Sequence, residues 1–260
     1  MWQCQEEFQT LPNASSISIQ ETLDLLDGEY AGVADGVVEG SYALWLGSGI
    51  SRERIIGLDG VLAKLLEYLR AKATDQTHCR FRRALDSIID KAALDVAERA
   101  QIDFTVPTAH WACIDILLSR LWNQYSSVLS VEIDGEPLDF LLWDGLDFAN
   151  TFSAQEPDAE HLVVGMLALE GAATELATAN WDGLIEAAMR ELGHDETFYR
   201  ITVTGADLRN PAAAARLYKF HGCALRAIAD ENEYRSLLIA RSSQITGWNA
   251  DGRFTIARDQ

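Results

Sequence analysis

One segment constrains the fold of this chain more than any other. An apolar run at residues 43–46 stops at a turn of small residues, Gly-Ser-Gly-Ile-Ser, at positions 47–51, which we call the glycine turn. The run predicts a buried strand, and Gly47 and Gly49 would let a ligand approach the backbone. A helix after the turn would offer free N–H groups to a phosphate. Similar turns join strand to helix in many α/β proteins that bind no nucleotide, so this segment alone decides nothing.

The length of the chain, 260 residues, fits one core with an insertion. We divide it into an acidic N-terminal arm with helices (residues 1–40), a first strand, turn and helix (41–76), a mainly helical insertion (77–157) and the remainder of the core (158–260). In the arm, Ser18 and Glu21 have the spacing of a capping box, which predicts a helix at residues 18–26 with Ile19, Leu23 and Leu26 facing inward.

The net charge of −19 is unevenly distributed. Residues 1–40 and 121–189 contain 8 and 13 acidic residues and no Lys or Arg, whereas the rest of the chain has 19 acidic and 21 basic residues. Acidic faces repel the phosphate backbone, so we expect no direct binding of nucleic acid. These acids either keep the chain in solution or form a docking face for a basic partner.

No apolar run approaches the ~20 residues that cross a bilayer, and the first ten residues carry acids without a basic leader. We therefore expect a cytoplasmic protein that does not contact membranes. The four cysteines, at positions 4, 79, 113 and 223, are far apart and form no C-x-x-C pair. They predict reduced, mostly structural thiols and no metal site.

Strand and helix patterns alternate in the last part of the chain. Apolar spacing predicts helices at residues 161–169 and 182–192, and strands at 174–178, 198–204 and 216–220. Together with the first strand and a helix at residues 61–69, this alternation predicts an α/β fold: a Rossmann-like parallel sheet with helices on both faces.

Three polar clusters fall at the predicted carboxyl ends of strands. They are the glycine turn, the sequence Thr-Ala-Asn-Trp-Asp-Gly-Leu at residues 178–184 (the asparagine loop) and Lys-Phe-His-Gly at residues 219–222 (the histidine loop). The carboxyl ends of parallel strands share one edge of a sheet, and ligands bind there. The sequence therefore predicts that a phosphate-binding turn, an Asn/Asp pair and a histidine converge on one site.

Each of these polar residues also has a structural interpretation. Asn180 would tolerate a tight turn, and Asp182 would cap the helix that begins beside it. His221 would be a buried histidine satisfied by hydrogen bonds, although its pKa range makes it the natural proton acceptor of the group.

In their order along the chain and in their residue sequences, the three clusters resemble motifs of the sirtuins. Sirtuins have Gly-Ala-Gly-Ile-Ser where this chain has the glycine turn, Thr-Gln-Asn-Ile-Asp-Gly-Leu where it has the asparagine loop, and a His-Gly pair that matches His221-Gly222. The resemblance spans about residues 42–222 and is specific at these three places only. It implies an NAD-binding Rossmann-like domain.

The chain also departs from the sirtuin deacylases. Their zinc ribbon follows the His-Gly pair, whereas here Cys223 stands alone, and residues 57–61 replace their Pro-Asp-Phe-Arg segment. These departures are similar to the zinc-less, sirtuin-like NAD hydrolases of bacterial antiphage defence, which work with other effector or sensor modules. The later Gly-x-Ser loop of the family is not found before Gln260, although residues 254–257 predict one last strand. The chain is therefore either a fragment, or a form that binds the adenosine side of NAD⁺ incompletely.

The resemblance implies a role for each matched residue. Asn180 would position water or the ribose, His221 would act as the base, and Asp182 would hold the nicotinamide carboxamide. The expected cofactor-binding residues are Gly47, Ser48, Gly49, Ile50, Ser51, Thr178 and Asp182.

We therefore expect an NAD⁺ glycohydrolase that needs no metal. It would act as a homo-oligomer or with a partner effector or sensor protein. The alternatives are a non-catalytic module that binds NAD or ADP-ribose, and, less favoured because no peptide cleft is encoded, an NAD-dependent protein deacylase.

Overall fold

A computed structural model describes residues 17–74, 76, 78–210 and 214–247 of the chain. Its centre is a parallel sheet of β1 (Ala43–Leu46), β2 (Glu175–Thr178), β3 (Tyr199–Thr202) and β4 (Ala215–Lys219), in the order β1-β2-β4-β3. Helices flank the sheet, so the predicted α/β, Rossmann-like class is confirmed.

The register of the sheet aligns the three loops. Leu46 at the end of β1 pairs with Thr178 at the end of β2, and Thr178 pairs with Lys219 at the end of β4. The glycine turn, the asparagine loop and the histidine loop therefore leave the sheet at the same level of one edge. This is the convergence that parallel strands predict.

Two expectations about the first strand are wrong. In the described sheet β1 is an outer strand and not a buried one, and the side chain of Trp45 is 65% exposed. The residues after Gly47 form a short 3-10 helix, Ser48–Ser51, whereas the next α-helix begins only at Leu58. Backbone N–H groups at the glycine turn thus belong to the 3-10 turn and not to a long helix.

From residue 17 onward, two helices precede the sheet, α1 (Ile19–Asp27) and α2 (Ala31–Val38). The capping box of Ser18 and Glu21 is present, as predicted. The inward orientation of Ile19 and Leu23 is wrong, since these side chains are 82% and 49% exposed. Neither helix has a buried residue, because both lie outside the core.

The described elements between β1 and β2 are all helical. The α-helices are α3 (Leu58–Lys72), α4 (Arg80–Lys91), α5 (Val96–Arg99), α6 (Ile114–Leu121), α7 (Tyr125–Val128), α8 (Phe148–Thr151) and α9 (Ala159–Leu169). Between α5 and α8 lie two 3-10 helices, Thr108–His110 and Trp122–Gln124, and a π-helical segment, Leu141–Gly145.

A first apolar core joins these helices. Leucines of α3 and α4 that recur at helical spacing, including Leu62, Leu66 and Leu85, are at most 1% exposed. The same core includes Ala224 and Leu238 from the end of the described chain. The helical segment is therefore packed into the molecule and not appended to it.

The remaining helices belong to the last third of the chain. They are α10 (Leu184–Glu191), α11 (Gly205–Leu208), α12 (Ala224–Ala229), α13 (Glu231–Tyr234) and α14 (Ser242–Gly247), with a 3-10 turn at Arg235–Leu237. Side chains of α9 and α10, among them Val164 and Ile185, form a second core with Leu176 and Leu217 of the strands.

Some predictions lie outside the described residues. These are the loose arm at residues 1–16 and the strand at residues 254–257. Within the part of the chain that is described, none of the helices has both the length and the apolar character that crossing a bilayer requires.

Candidate functional site

The side chain of Asn180 connects the asparagine loop to the glycine turn. Its Nδ2 atom donates to the backbone carbonyl oxygen of Gly47 over 3.1 Å and to Oγ of Ser51 over 3.4 Å. These residues are 133 and 129 positions from Asn180 in the sequence. The fold therefore brings together two of the three predicted clusters by direct hydrogen bonds.

These bonds also fix the orientation of the amide. A carbonyl oxygen accepts hydrogen bonds only, so the group that faces Gly47 must be the NH₂ of Asn180. Both amide protons are then directed at the glycine turn. Oδ1 of Asn180 remains as an acceptor, and the side chain is half-buried at the carboxyl edge of the sheet.

A buried histidine that sequence reasoning missed continues this network. Nε2 of His161 lies 3.3 Å from Oγ of Ser51, and Nδ1 of His161 lies 2.5 Å from Oδ1 of Asp158. His161 is fully buried and Ser51 is 4% exposed. The carboxylate contact assigns the ring proton to Nδ1, so Nε2 accepts from the Ser51 hydroxyl, which in turn accepts from Asn180.

Asp158 is the N-cap of α9, and its Oδ1 atom also accepts from the backbone N–H of His161 over 3.5 Å. Burial acts to raise the pKa of this carboxyl, but hydrogen bonds from His161 hold that pKa below its usual value. The sequence contained a signal, since Asp158 is an N-cap residue type and stands just before a predicted helix that includes His161. The partner of His161, Ser51, lies 110 positions away and has no such signal.

The asparagine loop is also bonded to the histidine loop. Nε1 of Trp181 donates to the carbonyl oxygen of His221 over 3.0 Å, and the N–H of Ala224 donates to the carbonyl oxygen of Trp181 over 2.7 Å. The indole of Trp181 meets the ring of Phe152 edge-on, with centroids 5.2 Å apart. The helical segment therefore helps to hold the asparagine loop.

The imidazole of His221 lies half-buried at the end of β4, next to the ring of Phe220. Burial lowers the pKa of His221 below that of an exposed histidine. The imidazole is therefore neutral at pH 7, which is the protonation state that a general base requires.

Two other predicted site residues have structural roles. Thr178 is 1% exposed, and its hydroxyl accepts from the backbone N–H of Asn180 over 3.0 Å. Oδ1 of Asp182 accepts from the N–H of Leu184, the first residue of α10, over 3.2 Å. The N-cap of α10 is Gly183, so Asp182 forms an Asx turn that leads into the helix and does not occupy the N-cap position.

The glycine turn is open on its outer side. Gly47, Ser48 and Gly49 are exposed, whereas Ile50 packs against the second core. A Cβ atom added to Gly47 or Gly49 would meet no atom within 4 Å. The turn therefore leaves space beside the backbone where a ligand could lie.

A cavity of about 440 Å³ lies elsewhere, between α4 and residues 127–134. Its arginines Arg80 and Arg83 form ion pairs with Glu136 and Asp134, so their charges are already compensated. Among the described residues, no three His, Cys, Asp or Glu side chains are grouped as metal ligands would be. The polar groups that converge from separate elements are those at the sheet edge.

The comparisons with known proteins do not assign the chain to a family. It matches no model of a known protein family and no curated protein.

Proposed function

We propose that this chain is an NAD⁺ glycohydrolase, which releases nicotinamide and ADP-ribose. The observation that supports this most is the bonding of Asn180 to Gly47 and Ser51, in register with the loop that carries His221. One sheet edge thus combines a small-residue turn, which can bind a pyrophosphate, with an oriented amide and a neutral imidazole, which can act on a ribose. Binding of a dinucleotide whose ribose reacts needs these groups together.

In the proposed reaction, water attacks C1′ of the nicotinamide ribose as the C–N glycosidic bond breaks. The bonding electron pair moves to the pyridine nitrogen and neutralises the charge of the nicotinamide ring. One proton of the water remains on the new hydroxyl of ADP-ribose, and the other leaves to a base. The ribose becomes cation-like in the transition state, so acceptor oxygens near C1′ stabilise it.

The residues of the site have complementary tasks in this proposal. Oδ1 of Asn180 accepts a hydrogen bond from the attacking water or from a ribose hydroxyl and thereby orients it. His221 accepts the proton. The backbone N–H groups of the glycine turn and the hydroxyl of Ser48 bind the pyrophosphate. His161 holds Ser51, and Ser51 holds Asn180, so that the amide does not rotate.

We also propose the biological setting that the sirtuin resemblance implies: an effector of bacterial antiphage defence, active as a homo-oligomer or with a sensor protein. The test compares infected cells that carry the wild-type gene with cells that carry the Asn180→Ala variant. A fall in cellular NAD⁺ during phage infection in the first strain but not in the second would support this setting. Phage protection that is equal in both strains would contradict it.

The chemistry is tested by incubating the purified chain with NAD⁺ and separating the products by chromatography. We expect nicotinamide and ADP-ribose in equal amounts from the wild type and neither from Asn180→Ala or His221→Ala. Asn150→Ala and His110→Ala remove the same residue types at exposed positions and should keep wild-type turnover. Turnover in either site variant would show that the roles are wrongly assigned.

A non-catalytic module is the second candidate, favoured by the backbone bonds of two expected ligand contacts, the hydroxyl of Thr178 and Oδ1 of Asp182. Calorimetry with NAD⁺ and with ADP-ribose separates the two functions. Tight binding without products would support the module. Nicotinamide release that depends on an acetylated peptide would instead indicate a deacylase.

A further inference from the structure

A buried lysine lies below the candidate site. Lys219, the last residue of β4, is 1% exposed, and its Nζ atom lies 2.8 Å from Oε1 of Glu186 in α10. Glu186 is also 1% exposed. Burial of a charged pair is costly, because both groups lose their hydration. An ion pair at this position therefore needs an explanation beyond the filling of space.

The ammonium group contacts the asparagine loop as well. Nζ donates to the backbone carbonyl oxygen of Trp181 over 3.2 Å and to that of Asp182. An ammonium has three protons, and with Glu186 as the third acceptor all of them are used. Two of the three bonds are thus directed at the two residues that follow Asn180.

These bonds complete a ring between the two candidate catalytic loops. Lys219 holds the carbonyl of Trp181, and the indole of Trp181 holds the carbonyl of His221. Lys219 and His221 are two residues apart, so the chain itself closes the ring. The N–H of Ala224, which follows the histidine loop, adds a bond to the same carbonyl of Trp181.

The ion pair of Lys219 and Glu186 leaves one buried carboxylate oxygen without a hydrogen bond to the described part of the chain, so it is not arranged for maximum stability. Among the described buried atoms, Oε2 of Glu186 has no hydrogen-bond partner. Pairs of this kind are often replaced by apolar side chains without loss of stability. An apolar residue at position 219 could not, however, bond to the carbonyls of Trp181 and Asp182.

We propose that Lys219 is a positioning residue, which fixes the asparagine loop against the histidine loop so that Asn180 and His221 act on one substrate. This inference rests on the proposed NAD⁺ hydrolysis. It assigns Glu186 the separate task of compensating the charge of Lys219.

Three variants separate positioning from stability. Lys219→Met alone leaves the carboxylate of Glu186 buried without a cation, so we expect a large loss of thermal stability. Lys219→Met combined with Glu186→Met removes both charges. We expect its melting temperature to lie well above that of Lys219→Met, and below that of the wild type only by the cost of the two lost bonds to the asparagine loop. Glu186→Gln keeps Lys219, its two carbonyl bonds and a neutral acceptor for the third proton, and it serves as the control for the position of the loop. It leaves the ammonium without an anion, so we expect its melting temperature to fall as well.

For the double variant we expect kcat to fall about 10-fold or more with KM for NAD⁺ changed less than about threefold, because the misplaced groups act in the transition state. Glu186→Gln should keep kcat within about twofold of the wild type, since the loop stays bonded. A stable double variant with wild-type kcat would overturn the proposal.

Amide hydrogen exchange supplies a measurement that does not depend on turnover. The Ala224 amide should exchange faster in the double variant than in Glu186→Gln, because its acceptor, the carbonyl of Trp181, has lost its anchor. If the wild type proves inactive, this difference still shows that Lys219 fixes the loop. Equal exchange in the two variants would contradict the positioning role even if NAD⁺ hydrolysis is confirmed.

Discussion

At position 47 the backbone does not require glycine. Gly47 has φ −102° and ψ −179°, which any residue adopts, and an added Cβ would meet no atom within 4 Å. Gly47→Val should therefore leave the melting temperature unchanged and weaken NAD⁺ binding about 10-fold or more by occupying the space beside the turn. Calorimetric titration with NAD⁺ measures this.

Gly57→Val is the matched control, since Gly57 is also extended, with φ −69° and ψ 177°, and is also open. It should bind NAD⁺ as the wild type does. If Gly47→Val retained full affinity, the glycine turn would not be the pyrophosphate site.

The protonation of His221 predicts a pH dependence. Because burial lowers the pKa of this residue, the imidazole stays neutral below the ordinary histidine value of about 6.5. The acid limb of kcat/KM should therefore have its midpoint below that value. A midpoint at or above it would indicate another base.

Stability should change over the same pH range. The unfolded chain binds a proton at His221 from about pH 6.5 downward, whereas the folded chain binds it only at lower pH. The free energy of unfolding should thus fall as the pH drops from this value toward the folded pKa. His221→Gln should reduce that slope in urea titrations, and His110→Gln, at an exposed residue, should not.

At the residue scale, sequence predicted that Asn180 and His221 lie in loops at strand ends, because such loops are visible in the apolar pattern. It did not identify the contact of His161 with Ser51, because the contact depends on how α9 packs against the 3-10 turn Ser48–Ser51. It predicted a ligand contact for Thr178 but not the bond that its hydroxyl accepts from the backbone of Asn180. Apolar patterns in the sequence predict which residues lie near the carboxyl edge of the sheet, but they do not predict the direction in which each side chain points.

Among the elements, the connection from β4 to α12 depends on Gly222. Its φ is +93°, and a Cβ there would lie 2.8 Å from the carbonyl oxygen of Leu237. Gly222→Ala should therefore lower the free energy of unfolding by about 2 kcal/mol or more, through backbone strain and a collision with another backbone segment. Urea denaturation measures the loss.

Gly193→Ala separates the two causes, because φ is +86° there and no atom lies within 4 Å. It should cost only the strain, about 1 kcal/mol. Equal losses in the two variants would show that the collision with Leu237 is relieved by a small shift of the loop.

The strands were predictable within one or two residues at each end, since short apolar runs between turn residues are typical of parallel strands. The position of β1 at the margin of the described sheet could not be predicted in the same way. Strand order depends on long-range pairing, and the apolar composition of Ala43–Leu46 suggested an interior strand although Trp45 is largely exposed.

For the whole molecule, the helical segment is an insertion in sequence but not in packing. The buried leucines of α3 are covered by α4, and the ring of Phe152 lies against Trp181 of the asparagine loop. Replacing residues 77–157 by a short Gly-Ser linker should therefore prevent folding, because the apolar face of α3 loses its cover. Circular dichroism and analytical gel filtration test this.

Removal of residues 1–40 is the control, since α1 and α2 contribute no buried residue. This variant should keep a cooperative thermal transition near that of the wild type. A folded protein without residues 77–157 would show that the sheet and α3 are stable by themselves.

The order of the strands also has a kinetic consequence. In the described sheet, β2 and β4 are each bonded to two neighbouring strands, whereas β1 is bonded to one. The asparagine and histidine loops leave the sheet from these inner strands, and the glycine turn leaves it from the margin. In the proposed site, a dinucleotide would therefore meet an outer strand at its diphosphate end and inner strands at its reacting end. We expect changes in β1 to alter the residence time of the ligand more than the rate of bond cleavage.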